Sequence, residues 1–178
     1  MLRIIIPFPP FGCIRPAGML FSTENSNEVN AVPKVLIAYT TLAGHTEKMA
    51  QYIAEGVRMT GCEADMKNIK AITDAADLEG YDGYIFGSPT YHRDMPNNMK
   101  TFLFLCHKVN LEGKLGGAFG SYTHSGDAPT EIMETMEYVF KMEHFELSSF
   151  RLKEAVVDSP DAAKACQDYG RTFGKALL

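Results

Sequence analysis

The chain lacks the clustered cysteines that structural zinc or an iron–sulfur centre requires. Its four, Cys13, Cys62, Cys106 and Cys166, are scattered, with no CxxC or CxxH. Three of them fall in expected helices, where a thiol serves as a small buried hydrophobe, a pattern that suits a reducing, cytoplasmic setting. Positive charge is scarce as well. The net charge is -5, and the first 33 residues contribute nothing to it, since Arg3 and Arg15 balance Glu24 and Glu28. An acidic body argues against nucleic-acid binding and favours encounter with basic partner surfaces. No apolar run is long enough to span a bilayer: the one that begins at Ile4 is broken by Pro7, Pro9 and Pro10. Neither GxGxxG nor GxxxxGK[ST] occurs, which excludes the common dinucleotide and ATP-type phosphate loops.

What is there instead is Lys34-Val-Leu-Ile-Ala-Tyr-Thr-Thr-Leu-Ala-Gly-His-Thr46, followed at once by Glu47-Lys48-Met49-Ala50. An apolar run stops at a hydroxyl-rich loop and a helix-forming segment begins. The start of a helix offers unpaired N–H groups and the positive end of the macrodipole, so it suits a phosphate. Thr41 and Thr46 add hydroxyls, and Gly44 admits close backbone approach. No lysine follows the glycine, so the expected ligand is a mononucleotide phosphate held without metal or lysine.

From Pro33 onward, strands and helices alternate. Strands are expected at Lys34–Thr40, Glu63–Ile69, Tyr81–Gly87, Leu115–Ser121 and Phe145–Phe150, the second of them weak enough for a sheet edge. Helices are expected at Thr46–Met59, with Met49, Ile53 and Val57 on one face, at Asp74–Leu78, at Asn97–His107, at Thr130–Lys141 with Pro129 in its first turn, and from Pro160 to about Leu177, capped by Ser159. The alternation predicts a parallel sheet covered on both faces. Residues 1–31 read as a flexible extension or an upstream start rather than a membrane anchor, and residues 32–178 as one domain.

In such a sheet, ligands bind beyond the carboxyl ends of the strands. Three loops leave those ends: Thr41–Thr46, Ser88–Asp94 and Tyr122–Asp127. All are rich in hydroxyls, aromatics or glycine, and the loops at the opposite end are plain.

These residues resemble the flavodoxin-like family, over about Val32 to Leu178. The resemblance implies a three-layer α/β/α sandwich with a five-stranded parallel sheet of order 2-1-3-4-5 and FMN at the switch point, flavodoxin being a type example of that rule. In that family a [ST]-x-T-G-x-T loop binds the FMN phosphate. Here Thr41, Gly44 and Thr46 match, Leu42 and His45 fill the variable positions, and Ala43 replaces a hydroxyl. The stretch Gly87-Ser-Pro-Thr-Tyr-His-Arg-Asp-Met-Pro96, with Met99-Lys-Thr-Phe-Leu103 and Gly117-Ala-Phe-Gly-Ser-Tyr-Thr-His-Ser-Gly-Asp-Ala128, looks most like the flavodoxin domain of flavodiiron proteins. By resemblance, Pro89, Thr90, Tyr91, His92, Arg93 and Asp94 line the isoalloxazine ring. Ser121, Tyr122, Thr123, His124, Ser125, Gly126 and Asp127 close over its other side. The segment Gly-Ser-Pro-Thr also resembles quinone-reducing flavoproteins, less so beyond Met99. The residues before Val32 contain no histidine, so the diiron ligands of flavodiiron proteins are not expected among them.

Tyr91 is expected to stack on the ring, whereas Tyr122 is left between stacking and loop packing. His45, His92 and His124 put one imidazole in each loop. No carboxylate spacing makes them a metal site; His45 suits the phosphate, His124 the flavin edge, and His92 solvent. Ser125 has no Gly-x-Ser-x-Gly elbow around it, which argues against a hydrolase. The expected function is electron transfer between redox partner proteins. The alternative is an NAD(P)H-dependent reductase of a quinone or similar acceptor. A cofactor-free interaction module is disfavoured by the intact Thr41, Gly44 and Thr46.

Overall fold

The computed structural model describes residues 31–178; the expected extension lies, apart from Ala31, outside the described residues. Five strands form one parallel sheet in the order β2-β1-β3-β4-β5: β1 Lys34–Tyr39, β2 Glu63–Asn68, β3 Gly83–Gly87, β4 Leu115–Tyr122 and β5 Glu143–Lys153. Helices α1 (His45–Arg58), α2 (Asn97–Cys106), α3 (Asp127–Glu134) and α4 (Pro160–Ala176) cover the two faces. Order reverses between β1, whose other neighbour is β2, and β3, so the crevice at their carboxyl ends is the switch point.

The central strands are apolar on both faces because both are covered. Along β1, Leu36 and Ala38 join the core beneath α2 and α3. Val35, Ile37 and Tyr39 join the core beneath α1 and α4. Phe86 and Ile85 divide in the same way on β3. Helices α1 and α4 pack backbone against backbone: a Cβ on Gly56 would stand 2.1 Å from the Gln167 carbonyl oxygen, and one on Gly170 equally close to that of Ile53. Ser159 caps α4 by accepting from the Ala162 N–H, as its position before Pro160 predicts.

Three expectations about elements need correction. Helix α3 starts at Asp127 rather than Thr130, because the chain leaves β4 in a loop too short to delay it, and it ends in a π turn at Thr135–Val139, not at Lys141. Strand β5 is longer than Phe145–Phe150 and irregular. Gly116 pairs with His144 but Ala118 with Ser149, so extra residues bulge out of β5, with Ser148 at φ 51°. The Tyr169 hydroxyl donates across this bulge to the carbonyls of Ser148 and Ala118, a contact that no period in the sequence could announce. Finally, Cys62 sits in the connection before β2, not in a helix. It is a free, buried thiol like Cys106 and Cys166, and burial pushes the Cys166 thiol up to about 12. Among the described residues no helix is long and apolar enough to cross a membrane.

Candidate functional site

The first loop is shaped by one hydrogen bond and one glycine. The Gly44 N–H donates to Thr41 Oγ1 (2.9 Å), and Gly44 adopts φ 87° immediately before α1. That left-handed conformation requires glycine or carries strain. An added Cβ at Gly44 would meet nothing within 4 Å, so its conformation and not protein crowding selects the residue. No side chain caps α1. The first-turn N–H groups of His45, Thr46 and Glu47 therefore point out of the helix start without a capping partner, a donor set suited to an anion. Leu42 and Ala43 are exposed at the loop tip, and Thr41 and His45 are half-buried. The nearby cations are engaged elsewhere: Lys48 pairs with Asp158 at 2.6 Å and Arg93 with Asp127 at 3.4 Å.

The three expected loops converge through backbone and hydroxyl contacts. Beyond the formal strands, hydrogen bonds continue from Thr40 N–H to the Gly87 carbonyl, from Ser88 N–H to Phe119, and from Thr90 N–H to Ser121. The buried hydroxyls of Thr46 and Ser121 share a hydrogen bond of 3.1 Å, tying the start of α1 to the end of β4. Thr90 Oγ1 accepts from the Ala128 N–H at 3.3 Å, which fixes the second loop against the start of α3. Pro89 is buried beside it.

Beyond Thr90 the second loop makes a tight reversal. Tyr91 and Asp94 exchange both backbone hydrogen bonds at 2.9 Å, with His92 at φ 50° and Arg93 at φ 65° between them. Positive φ at both central residues is the type I′ pattern, normally filled by asparagine and glycine, so His92 and Arg93 are held under strain. Their side chains are exposed. A cavity of about 280 Å³ opens between this reversal and the third loop, lined by Thr90, Tyr91, His92, Arg93, Thr123, His124 and Ser125. Partial burial and the Glu154 carboxylate raise the Tyr91 phenol above its ordinary value.

Some expected site residues lie outside this cavity. Asp94 turns away: it binds Lys100 and the Met95 N–H, and Lys100 holds its carboxyl below the usual range. Asp127 opens α3, and Ser121 is committed to Thr46. Gly126 packs on Tyr122, where an added Cβ would meet the ring at 3.2 Å, which favours loop packing for Tyr122. Other residues were missed. Asn98 donates to Thr40 Oγ1 at 2.6 Å, Arg151 holds the Gly126 carbonyl, and Glu154 accepts from Thr123 Oγ1. The last two follow from β5 being parallel and longer than expected, which brings its carboxyl end beside the third loop. Among the described residues no group of three or more His, Cys, Asp or Glu is gathered as a metal ion needs.

Comparison with known proteins agrees with this fold. An NAD(P)H dehydrogenase (quinone) from Gluconacetobacter diazotrophicus is 36% identical over a match covering 39% of this chain and 44% of that protein. The match thus spans less than half of that relative. Among solved structures, a flavodoxin from the domain Archaea superposes with TM-score 0.72 at 24% identity, covering 81% of this chain and 98% of that one. The flavodiiron core from Synechocystis gives TM-score 0.70 at 26% identity, covering 82% of this chain and 36% of that one. A family model for the flavodoxin domain matches residues 36–153, which run from β1 to the end of β5. The chain belongs to the flavodoxin domain family.

Proposed function

We propose that this chain binds one FMN and carries electrons between redox partner proteins. The observation that carries the reading is the pairing of an uncapped helix start at Gly44–Glu47 with a separate cavity between the second and third loops. One site suits a terminal phosphate and the other a planar ring. At about 280 Å³ the cavity falls just short of the roughly 300–1,000 Å³ of pockets that enclose a whole ligand. It therefore suits the ring of a ligand whose phosphate lies outside it, and a ring there fills the space a second ring would need.

Bound flavin supplies reversible redox chemistry. The protein's part is to hold it and tune it. First-turn N–H groups of α1 neutralise the phosphate without a bound cation. Tyr91 lies against one side of the cavity and the loop Thr123–Ser125 against the other. Glu154, which accepts from Thr123 of the cavity wall, disfavours added negative charge there, and the aromatic face of Tyr91 acts in the same direction.

A second reading has support in the sequence relative named as an NAD(P)H dehydrogenase (quinone): direct reduction by a nicotinamide cofactor and transfer to a quinone. The two separate in one experiment. Protein reconstituted with FMN is mixed with NADPH under anaerobic conditions and its flavin absorbance followed. Negligible bleaching alone, with reduction once a separate reductase is added, is expected of the carrier. Rapid direct bleaching with repeated turnover to a quinone overturns it.

A further inference from the structure

Helix α2 stands as a ridge between two grooves. One, of about 660 Å³, runs between α2 and α3 over Leu103 and Phe140, with Val139 at its edge. The other, of about 490 Å³, lies between α2 and the chain after β2, over Ile72 and Phe102. Phe104 lines both grooves and is 77% exposed. Tyr138 and Val139, on the π turn, extend the exposed apolar surface. Contiguous apolar surface with a polar rim marks an interaction face.

Charge divides across the same ridge. The α3 side carries Glu131, Glu134 and Glu137, its one lysine, Lys100, being paired with Asp94, and the far groove carries Lys70 and Lys108. Among the described residues the three glutamates, Lys70 and Lys108 enter no ion pair. Each side is what the other needs.

We propose that this face docks a second copy of the chain, about a two-fold axis that runs parallel to α2. With the axis set between α2 and the α2–α3 groove, rotation by 180° lays the α2 ridge of each copy into the other's α2–α3 groove. The same rotation carries α3 of each copy over the partner's far groove. Glu134 and Glu137 then face Lys108 along both edges of the interface, and Glu131 lies level with Lys70. An axis running across α2 instead sets acid against acid, so the charge pattern selects one orientation. Phe104 is buried near the centre, where a single large aromatic contributes most to binding. This interface needs no bound flavin.

Sedimentation of the full chain over about 1–100 μM tests it, with a dimer expected at the upper end. Phe104→Asp weakens the dimer by at least about thirtyfold with an unchanged circular dichroism spectrum, since an exposed residue is not needed for folding. Two charge reversals give the sharper result. Lys108→Glu and Glu134→Lys/Glu137→Lys each yield a monomer alone, because like charges then meet at both contacts. Mixed, they form a heterodimer in which both contacts are again complementary. A wild-type chain that stays monomeric at the highest concentration overturns the proposal, as does a dimer that ignores all three variants or a mixture that fails to associate.

Discussion

Gly44 separates backbone strain from ligand contact, because the fold contains its own control. Gly44 and Gly61 have nearly the same φ, 87° and 92°, and a Cβ on either meets nothing within 4 Å. Alanine in the left-handed region costs about 1–2 kcal/mol, against about 0.4–1 kcal/mol regained because the unfolded chain has less freedom to lose. Each Gly→Ala variant should therefore lose about 1 kcal/mol, or roughly 2–4 °C in melting temperature for a domain of this size. The two diverge at the proposed phosphate site. Gly61 lies beyond the far end of α1, whereas the open space beside Gly44 is where the phosphate is placed. Fluorescence titration with FMN should show at least about tenfold weaker binding to Gly44→Ala, equal to about 1.4 kcal/mol, and no change for Gly61→Ala. Equal flavin affinity in both variants would refute the phosphate placement even if both lose the expected stability.

Three further outcomes follow from the same geometry. Tyr91→Ala should raise the midpoint potential of bound flavin by tens of millivolts, since an aromatic contact is worth about 0.5–1.5 kcal/mol beyond burial; an unmoved potential in spectroelectrochemistry removes Tyr91 from the ring. Thr46→Val leaves the buried Ser121 hydroxyl without its partner and should cost about 1–3 kcal/mol in urea unfolding, with wild-type stability the refuting result. Burial, reinforced by Asp94, raises the Glu131 carboxyl above its ordinary value, so folding favours its protonated form. Its contribution is stabilising below the unfolded-state pKa and is lost as pH rises through the folded one. Glu131→Gln should therefore melt higher than wild type at pH 7 and equally at pH 4, and a variant less stable at pH 7 would contradict this.

Much of this was legible in the residues because parallel sheets advertise themselves. Val35–Ala38 and Tyr84–Phe86 are apolar without alternation only because both faces are covered, and the helix between them shows a helical period of buried Met49, Ile53 and Val57. Gly44 and Ser159 speak through local backbone chemistry, so their roles at helix starts needed no tertiary information. Tertiary structure decided the rest, wherever partners are distant in the chain. The bulge of β5 depends on Tyr169 reaching Ser148 and Ala118, and the length of that strand is what brings Glu154 and Arg151 to the third loop. Asp94 sits within an expected site loop, yet the type I′ reversal at His92 and Arg93 aims it at Lys100 and away from the cavity. Sequence patterns record which residues are buried and how the backbone turns locally. Where a side chain on a loop finally points is set by the groups that loop meets across the sheet.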